Sequence, residues 1–355
     1  MWMVCDMEEG TGNPMRWLDT LAGAAPAVGA MVLRRNRPVL RAVRGIRIAG
    51  RADPVRLTDP WHVGSCTKAM TATLLARLQA LGLIDLGAGL GDALPDIAMH
   101  PAFAAMSLRA VLRHEAGIRR DPHWSVFARL RATRAPLTEQ RRHLAGLALQ
   151  DRPVTQAGYS NLGYIVLGAV IEAATGVTWE TALRREVFTP LGMTGAGFGA
   201  PPLPGLAGHV MAQGRWHPRP PGPWSDNPRP YGPAGRVHLP LDDWARFAAV
   251  HLGGGPPGYL PAPLLHEMHE PGASGYAAGW GTGTMPGGTP MVRHTGSNTM
   301  WFADIRLLPK PGIGVAVVCN ADSPSLRTRI LRRTDALLAA SQTGSDALAL
   351  RQLQG

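Results

Sequence analysis

Short apolar runs frame the chain at both ends. Residues 28–33 and 39–43 are apolar segments joined by the polar Arg34-Arg35-Asn36-Arg37, the pattern of an antiparallel hairpin. Residues 302–308 and 313–319 flank Pro309-Lys310-Pro311-Gly312, a second hairpin whose proline and glycine supply strong turn chemistry. Two such hairpins at opposite ends predict one antiparallel sheet that draws on both. Residues 325–340 set Leu326, Ile330 and Leu337 at helical spacing, which predicts a terminal helix covering that sheet.

Between the hairpins the period changes. Residues 68–81 carry Leu74, Leu75, Leu78 and Leu81 at helical spacing and stop at Gly82, and residues 161–174 repeat the pattern before Gly176. The middle of the chain is therefore predicted to be mainly helical. Residues 201–235 are too rich in proline and glycine for long helices and read as an ordered loop lining or covering a cleft. Trp216, Trp224 and Tyr231 argue against a disordered linker there. The expected architecture is α/β (α+β): an antiparallel β-sheet flanked by helices, with a mainly helical domain inserted. Residues 15–79 and 201–340 are assigned to the discontinuous sheet domain, 80–200 to the helical insertion, and 1–14 and 341–355 to tails.

Composition narrows the class. With 45% apolar and 17% charged residues in 355, the chain has the balance of a globular protein. It holds no apolar stretch of the about 18 residues that a membrane span needs. The net charge of +11 raises the question of nucleic acid, but the arginines are scattered, never exceeding pairs such as Arg34-Arg35 and Arg119-Arg120, so no nucleic-acid partner is expected. The milder consequence is a positive field that favours substrates carrying a carboxylate. Cys5, Cys66 and Cys319 lack paired spacing, which argues against a disulfide framework or a thiolate zinc site. Residues 1–14 show early acidic residues and no basic start followed by an apolar run. No secretory signal is legible, and the cytoplasm is the default expectation, with the periplasm open if the start is truncated.

Lysine occurs only at positions 68 and 310, in a chain that otherwise uses arginine. Lys68 closes Gly64-Ser65-Cys66-Thr67-Lys68, where a loop enters an apolar helix. A serine hydroxyl needs a base to become a nucleophile, and a residue three positions later on a helix faces the same side. Lysine serves as a base once burial or neighbouring positive potential lowers its pKa, whereas arginine stays protonated. The helix start also offers unpaired N–H groups to the charge that develops as Ser65 attacks a carbonyl. Alone, this motif is better explained by a capping serine and a surface lysine, since serine is a common helix cap.

Tyr159-Ser160-Asn161 precedes the second helix. A phenol beside a lysine can relay protons, its phenolate stabilised by the ammonium, and Asn161 can hold Lys68 or a substrate amide. His294-Thr295-Gly296-Ser297 stands before the second hairpin, on or beside an edge strand. Its glycine permits close backbone approach, and the Ser297 N–H can join that of Ser65 in an oxyanion hole. Taken singly, a locally capped tyrosine and a simple turn explain these two as well.

Together, in this order and spacing, the three elements resemble the serine β-lactamases, penicillin-binding proteins and related esterases. Trp61 to Gly64, residues 108–117 and residues 232–236 look like further landmarks, and the resemblance covers roughly residues 15–340. It implies Ser65 as nucleophile, Lys68 as base, Tyr159 as proton relay, Asn161 as orienting residue, and a substrate-facing strand at His294, Thr295 and Gly296. The tyrosine of the second motif resembles the class C enzymes and their esterase and D-peptidase relatives. His294 stands where such β-lactamases usually have lysine, which puts efficient antibiotic hydrolysis in doubt, because histidine is mostly neutral near pH 7.

The expected function is a serine hydrolase forming an acyl-enzyme on a small ester, amide or peptide, esterase-like or D-peptidase/amidase-like, with no metal or organic cofactor. An acyltransferase using the same intermediate and an inactive relative that binds peptide or wall fragments remain alternatives. No Gly-x-Ser-x-Gly elbow is present, which sets the α/β-hydrolases aside. His266 and His269 lack zincin spacing and read as a solvated helix end, and His62 and His114 as hydrogen-bonding or site-lining histidines. Oligomeric state is not legible.

Overall fold

Residues 27–34 alternate side chains that are apolar on both faces, so both faces of this strand must be covered. The computed structural model describes residues 16–156 and 158–343; Cys5, the amino-terminal segment 1–14 and residues 344–355 lie outside them. Six strands form the main sheet: β1 (Ala27–Arg34), β2 (Arg37–Gly45), β3 (Gly281–Thr284), β4 (Pro290–Ser297), β5 (Phe302–Leu308) and β6 (Ile313–Cys319). Their spatial order is β2-β1-β6-β5-β4-β3, antiparallel throughout. β1 pairs with β6, from Val28 opposite Cys319 to Arg34 opposite Ile313, so the two chain ends share one sheet as expected.

Helices cover both faces. Leu18 and Leu21 of α1 (Arg16–Ala22), with Leu326, Ile330 and Leu337 of the terminal α-helix Pro324–Thr343, pack on Val28, Ala30, Val32, Val315 and Val317. The opposite face, with Met31, Leu33, Ile305 and Val318, joins a larger core. That core takes in α2 (Thr67–Ala80), α3 (Leu137–Leu149), α4 (Asn161–Thr175) and α5 (Leu241–His251); the terminal helix is α6. Glycine at position 29 lets the layers meet closely, since a Cβ there would stand 3.1 Å from the Trp61 ring and 3.4 Å from Leu241.

α2 begins at Thr67, preceded by a 3-10 turn over Gly64–Cys66, and buries Leu74, Leu75 and Leu78; Leu81 lies just past its end and Gly82 (φ +72°) stops it. α4 is capped by Ser160, whose Oγ accepts from the Gly163 N–H at 2.8 Å, and ends at left-handed Gly176. Among the described residues no single helix is long and apolar enough to cross a membrane.

Two expectations need correction. Residues 201–235 are not loop alone: Gly208–Ala212 and Arg215–Arg219 pair as a hairpin whose turn residues Gln213 and Gly214 both have positive φ. Pro218 and the lack of alternation mask these strands in sequence. Trp216 anchors the hairpin by donating to the Ala24 carbonyl at 3.0 Å, while Trp224 is exposed beneath Arg131. Nor do both histidines of residues 266–270 end a solvated helix: His266 is exposed, but His269 turns inward, its Nε2 2.9 Å from His251 Nδ1.

Candidate active site

The turn Gly64–Cys66 holds Ser65 at the foot of α2, and Lys68 stands one helical turn further on. The Lys68 side chain is fully buried, with Nζ 3.2 Å from Ser65 Oγ, 2.8 Å from Asn161 Oδ1 and 2.6 Å from the Ala234 carbonyl oxygen. Burial is the main force on this amine and lowers its pKa to about 7; Arg120 pushes the same way, while Asp121 and the Cys66 thiol oppose it. Asn161 Oδ1 and the Ala234 carbonyl can only accept. A neutral amine therefore keeps its two N–H groups on them and is left with a lone pair for the Ser65 hydroxyl.

Asn161 is itself oriented. Its Nδ2 donates to Asp121 Oδ1 at 2.9 Å, which turns its oxygen toward Lys68, and the Tyr231 hydroxyl reaches the same carboxylate oxygen at 3.3 Å. Asp121 and the Ala234 carbonyl are absent from the sequence-level site. A backbone carbonyl has no sequence signature, and Asp121 sits in an aperiodic polar loop after Arg119-Arg120.

Tyr159 faces this group from the other side. Its hydroxyl is close enough for Ser65 to influence its pKa, and Lys68 Nζ lies over its ring, 4.7 Å from the centroid. The stabilised phenolate expected from sequence is not what this environment favours: burial pushes the phenol well above its ordinary value, and Ser65 offsets only part of that. Tyr159 is a neutral phenol, able to donate and accept. His114 packs on its ring at 4.7 Å and accepts the Ser160 N–H at 3.1 Å through Nδ1.

β4 closes the site. Gly64 adopts φ +51°, and the Gly296–Ser297 backbone packs directly on it. A Cβ on Gly296 would collide with the Val63 carbonyl and stand 2.8 Å from Ser65 N. The Ser65 and Ser297 peptides are thus neighbours across the turn and the strand. Thr295 points outward, but His294 is buried. His294 Nδ1 donates to the Thr295 carbonyl at 2.6 Å, so its Nε2 accepts from the Tyr276 hydroxyl at 2.7 Å. Burial, reinforced by Lys68, lowers its pKa to about 3, so the ring is neutral and supplies no cation. Tyr276, 4.5 Å from the His114 ring, gives no signal in the sequence as part of this cluster.

Outside Ser65 opens a cavity of about 390 Å³ walled by Asp121, Trp124, Phe127, Asn161, Tyr231 and Ser297, among others. Cys66, next to the serine, is buried with its thiol pushed well up, and is no rival nucleophile. Among the described residues no group of three or more histidine, cysteine or acidic side chains is arranged to hold a metal.

A family model described as Beta-lactamase matches residues 14–340. Penicillin-binding protein 4 of Amycolatopsis lactamdurans is 31% identical over 299 residues, 78% of this chain and 75% of that protein. The octameric penicillin-binding protein homologue from Pyrococcus abyssi superposes with a TM-score of 0.76 at 20% identity, over 92% of this chain and 77% of its own. A class C β-lactamase from Rhodobacter sphaeroides gives 0.73 at 17% identity, over 94% and 99%.

Proposed function

The chain belongs to the β-lactamase family, and from that premise we propose that it is a serine hydrolase that cleaves a small ester or amide through an acyl-enzyme on Ser65. One observation carries the reading: a fully buried amine with its pKa lowered to about 7 lies 3.2 Å from an accessible serine hydroxyl.

Neutral Lys68 takes the Ser65 proton as Oγ bonds to the substrate carbonyl carbon, and the carbonyl electrons move to its oxygen. The Ser65 and Ser297 N–H groups face that oxyanion. As it collapses, the bond to the leaving group breaks, and the leaving atom takes a proton from Tyr159, which recovers one from the Lys68 ammonium. Water then attacks the acyl carbon, giving a proton to Tyr159 as Tyr159 passes its own to Lys68; the bond from Ser65 Oγ to the acyl carbon breaks, Oγ takes its proton back from the Lys68 ammonium, and the acid leaves. Asn161 holds the amine, and Asp121 holds Asn161. The neutral, buried His294 supports an ester, amide or D-peptide substrate over a carboxylated β-lactam, which a fixed cation on this strand would favour. Intact Ser65, Lys68 and Tyr159 weigh against a purely binding role.

Ser65→Ala abolishes hydrolysis of p-nitrophenyl butyrate and leaves the circular dichroism spectrum unchanged. Undiminished turnover by the variant would remove the assignment. Product analysis with added alcohols or amines separates hydrolysis from acyl transfer.

A further inference from the structure

Asp226, in the proline- and glycine-rich segment, has no part in the proton relay, yet it is 4% exposed and densely contacted. Its Oδ1 accepts from Asn298 Nδ2 at 3.0 Å and the Asn227 N–H at 2.7 Å, and lies 2.9 Å from His62 Nε2; its Oδ2 accepts from Arg236 Nε at 3.0 Å. Burial opposes the charge, but His62, Arg236 and Asn298 outweigh it and hold the carboxyl well below the usual carboxylate range.

Two of these contacts converge on one place. His62 Nδ1 accepts the Gly64 N–H at 3.1 Å, so the ring hydrogen is on Nε2, facing Asp226. That Nε2 stands 2.9 Å from the carboxylate without completing a hydrogen bond to it, so the carboxylate holds the neutral ring by charge–dipole attraction. Gly64 precedes Ser65. Asn298 follows Ser297, and its Oδ1 accepts the Met300 N–H at 3.2 Å, fixing the turn that leaves β4. One carboxylate thus reaches, through a single side chain on each side, the segment before the Ser65 N–H and the segment after the Ser297 N–H. These segments come from separate elements, and transition-state stabilisation requires their donors to be held within about 0.5 Å of the productive geometry.

We propose that Asp226 is a positioning residue of the oxyanion hole, its buried carboxylate clamping the Gly64–Ser65 turn to the Ser297–Asn298 end of β4 so that both N–H groups meet one oxygen. The inference rests on the reading of Ser65 as the acylated nucleophile.

The test compares p-nitrophenyl butyrate kinetics with inhibition by phenylboronic acid, which adds to a serine oxygen as a tetrahedral anion. In Asp226→Asn, kcat falls by about tenfold or more, KM stays within about twofold, and the boronate Ki rises by the same factor as kcat falls, because only the charged tetrahedral state uses the hole. Asn298→Ala cuts the strand arm alone and gives a smaller loss of the same kind, and the double variant falls short of the product of the singles. A folded Asp226→Asn protein with unchanged kcat and Ki, or with its loss confined to KM, overturns the clamp. If Asp226→Asn does not fold, an unaltered boronate Ki in Asn298→Ala overturns it instead. Wild-type protein that binds no boronate at Ser65 defeats the hydrolase reading, and the clamp with it; wild-type binding that Asp226→Asn leaves unaltered defeats the clamp alone.

Discussion

Three oxygens surround the Lys68 amine, and only that of Ser65 carries a proton to surrender. This asymmetry gives a direction to proton transfer that no serine and lysine on an open helix surface would have. Turnover of neutral esters should therefore track the neutral amine, rising with pH through a limb centred near 7 and flattening above it, since deprotonation creates the base. A rate independent of pH from 5 to 9 would remove Lys68 from that role. Lys68→Arg keeps the charge but cannot release it, so kcat/KM should fall by about a hundredfold or more in a steady-state assay. His294 shows why residue type alone misleads: its motif position suggests a substrate contact, but its ring is turned inward onto Tyr276.

At the scale of elements, the meeting of α2's leading turn with β4 brings the Ser65 and Ser297 peptides side by side. Each is ordinary alone, one a 3-10 turn and the other the next-to-edge strand of a sheet. Their backbones fit only because Gly64 and Gly296 carry no Cβ. In Gly296→Ala the added carbon meets backbone atoms of Val63 and Ser65, which no rotamer change can relieve. Ester turnover should drop by about tenfold or more, and urea denaturation should show a loss of about 1–3 kcal/mol, as for overpacking elsewhere. Full turnover in this variant would mean that β4 does not shape the hole. The helices α2 and α4 are legible from leucine spacing and glycine stops, because the 3.6-residue period is a local property. The Gly208–Ala212/Arg215–Arg219 hairpin escapes such reading, since Pro218 and exposed polar residues erase the alternation while Trp216 fixes it from a distance.

Across the whole molecule, the chain ends are joined by more than β1 and β6. Asn320, fully buried just past β6, accepts the Ala27 N–H at 2.8 Å and donates to the Arg47 and Ala207 carbonyls at 3.2 and 3.1 Å. One amide thus ties the first strand, the loop after β2 and the start of the 208–219 hairpin, and Asn320→Ala takes this partner from the Ala27 N–H and the Ala207 carbonyl, while the Arg47 carbonyl keeps the Ala207 N–H at 3.2 Å. Chemical denaturation should show a loss of about 2–4 kcal/mol, with kcat of the folded fraction near wild type. A loss under 0.5 kcal/mol would show that water replaces the amide. Local pattern alone was enough for the two framing hairpins, the helices α2 and α4 and the stepwise placement of Ser65 and Lys68, because strand alternation, helical period and turn chemistry act over a few residues. The spacing of the motifs also carried the family resemblance. What required the folded chain was every contact between distant segments: the Ala234 carbonyl on Lys68, Asp121 behind Asn161, Tyr276 on His294, and Asp226 between His62 and Asn298. Burial of an amine, a phenol and an imidazole in one cluster shifts their protonation, and burial belongs to the packed molecule, not to any stretch of sequence.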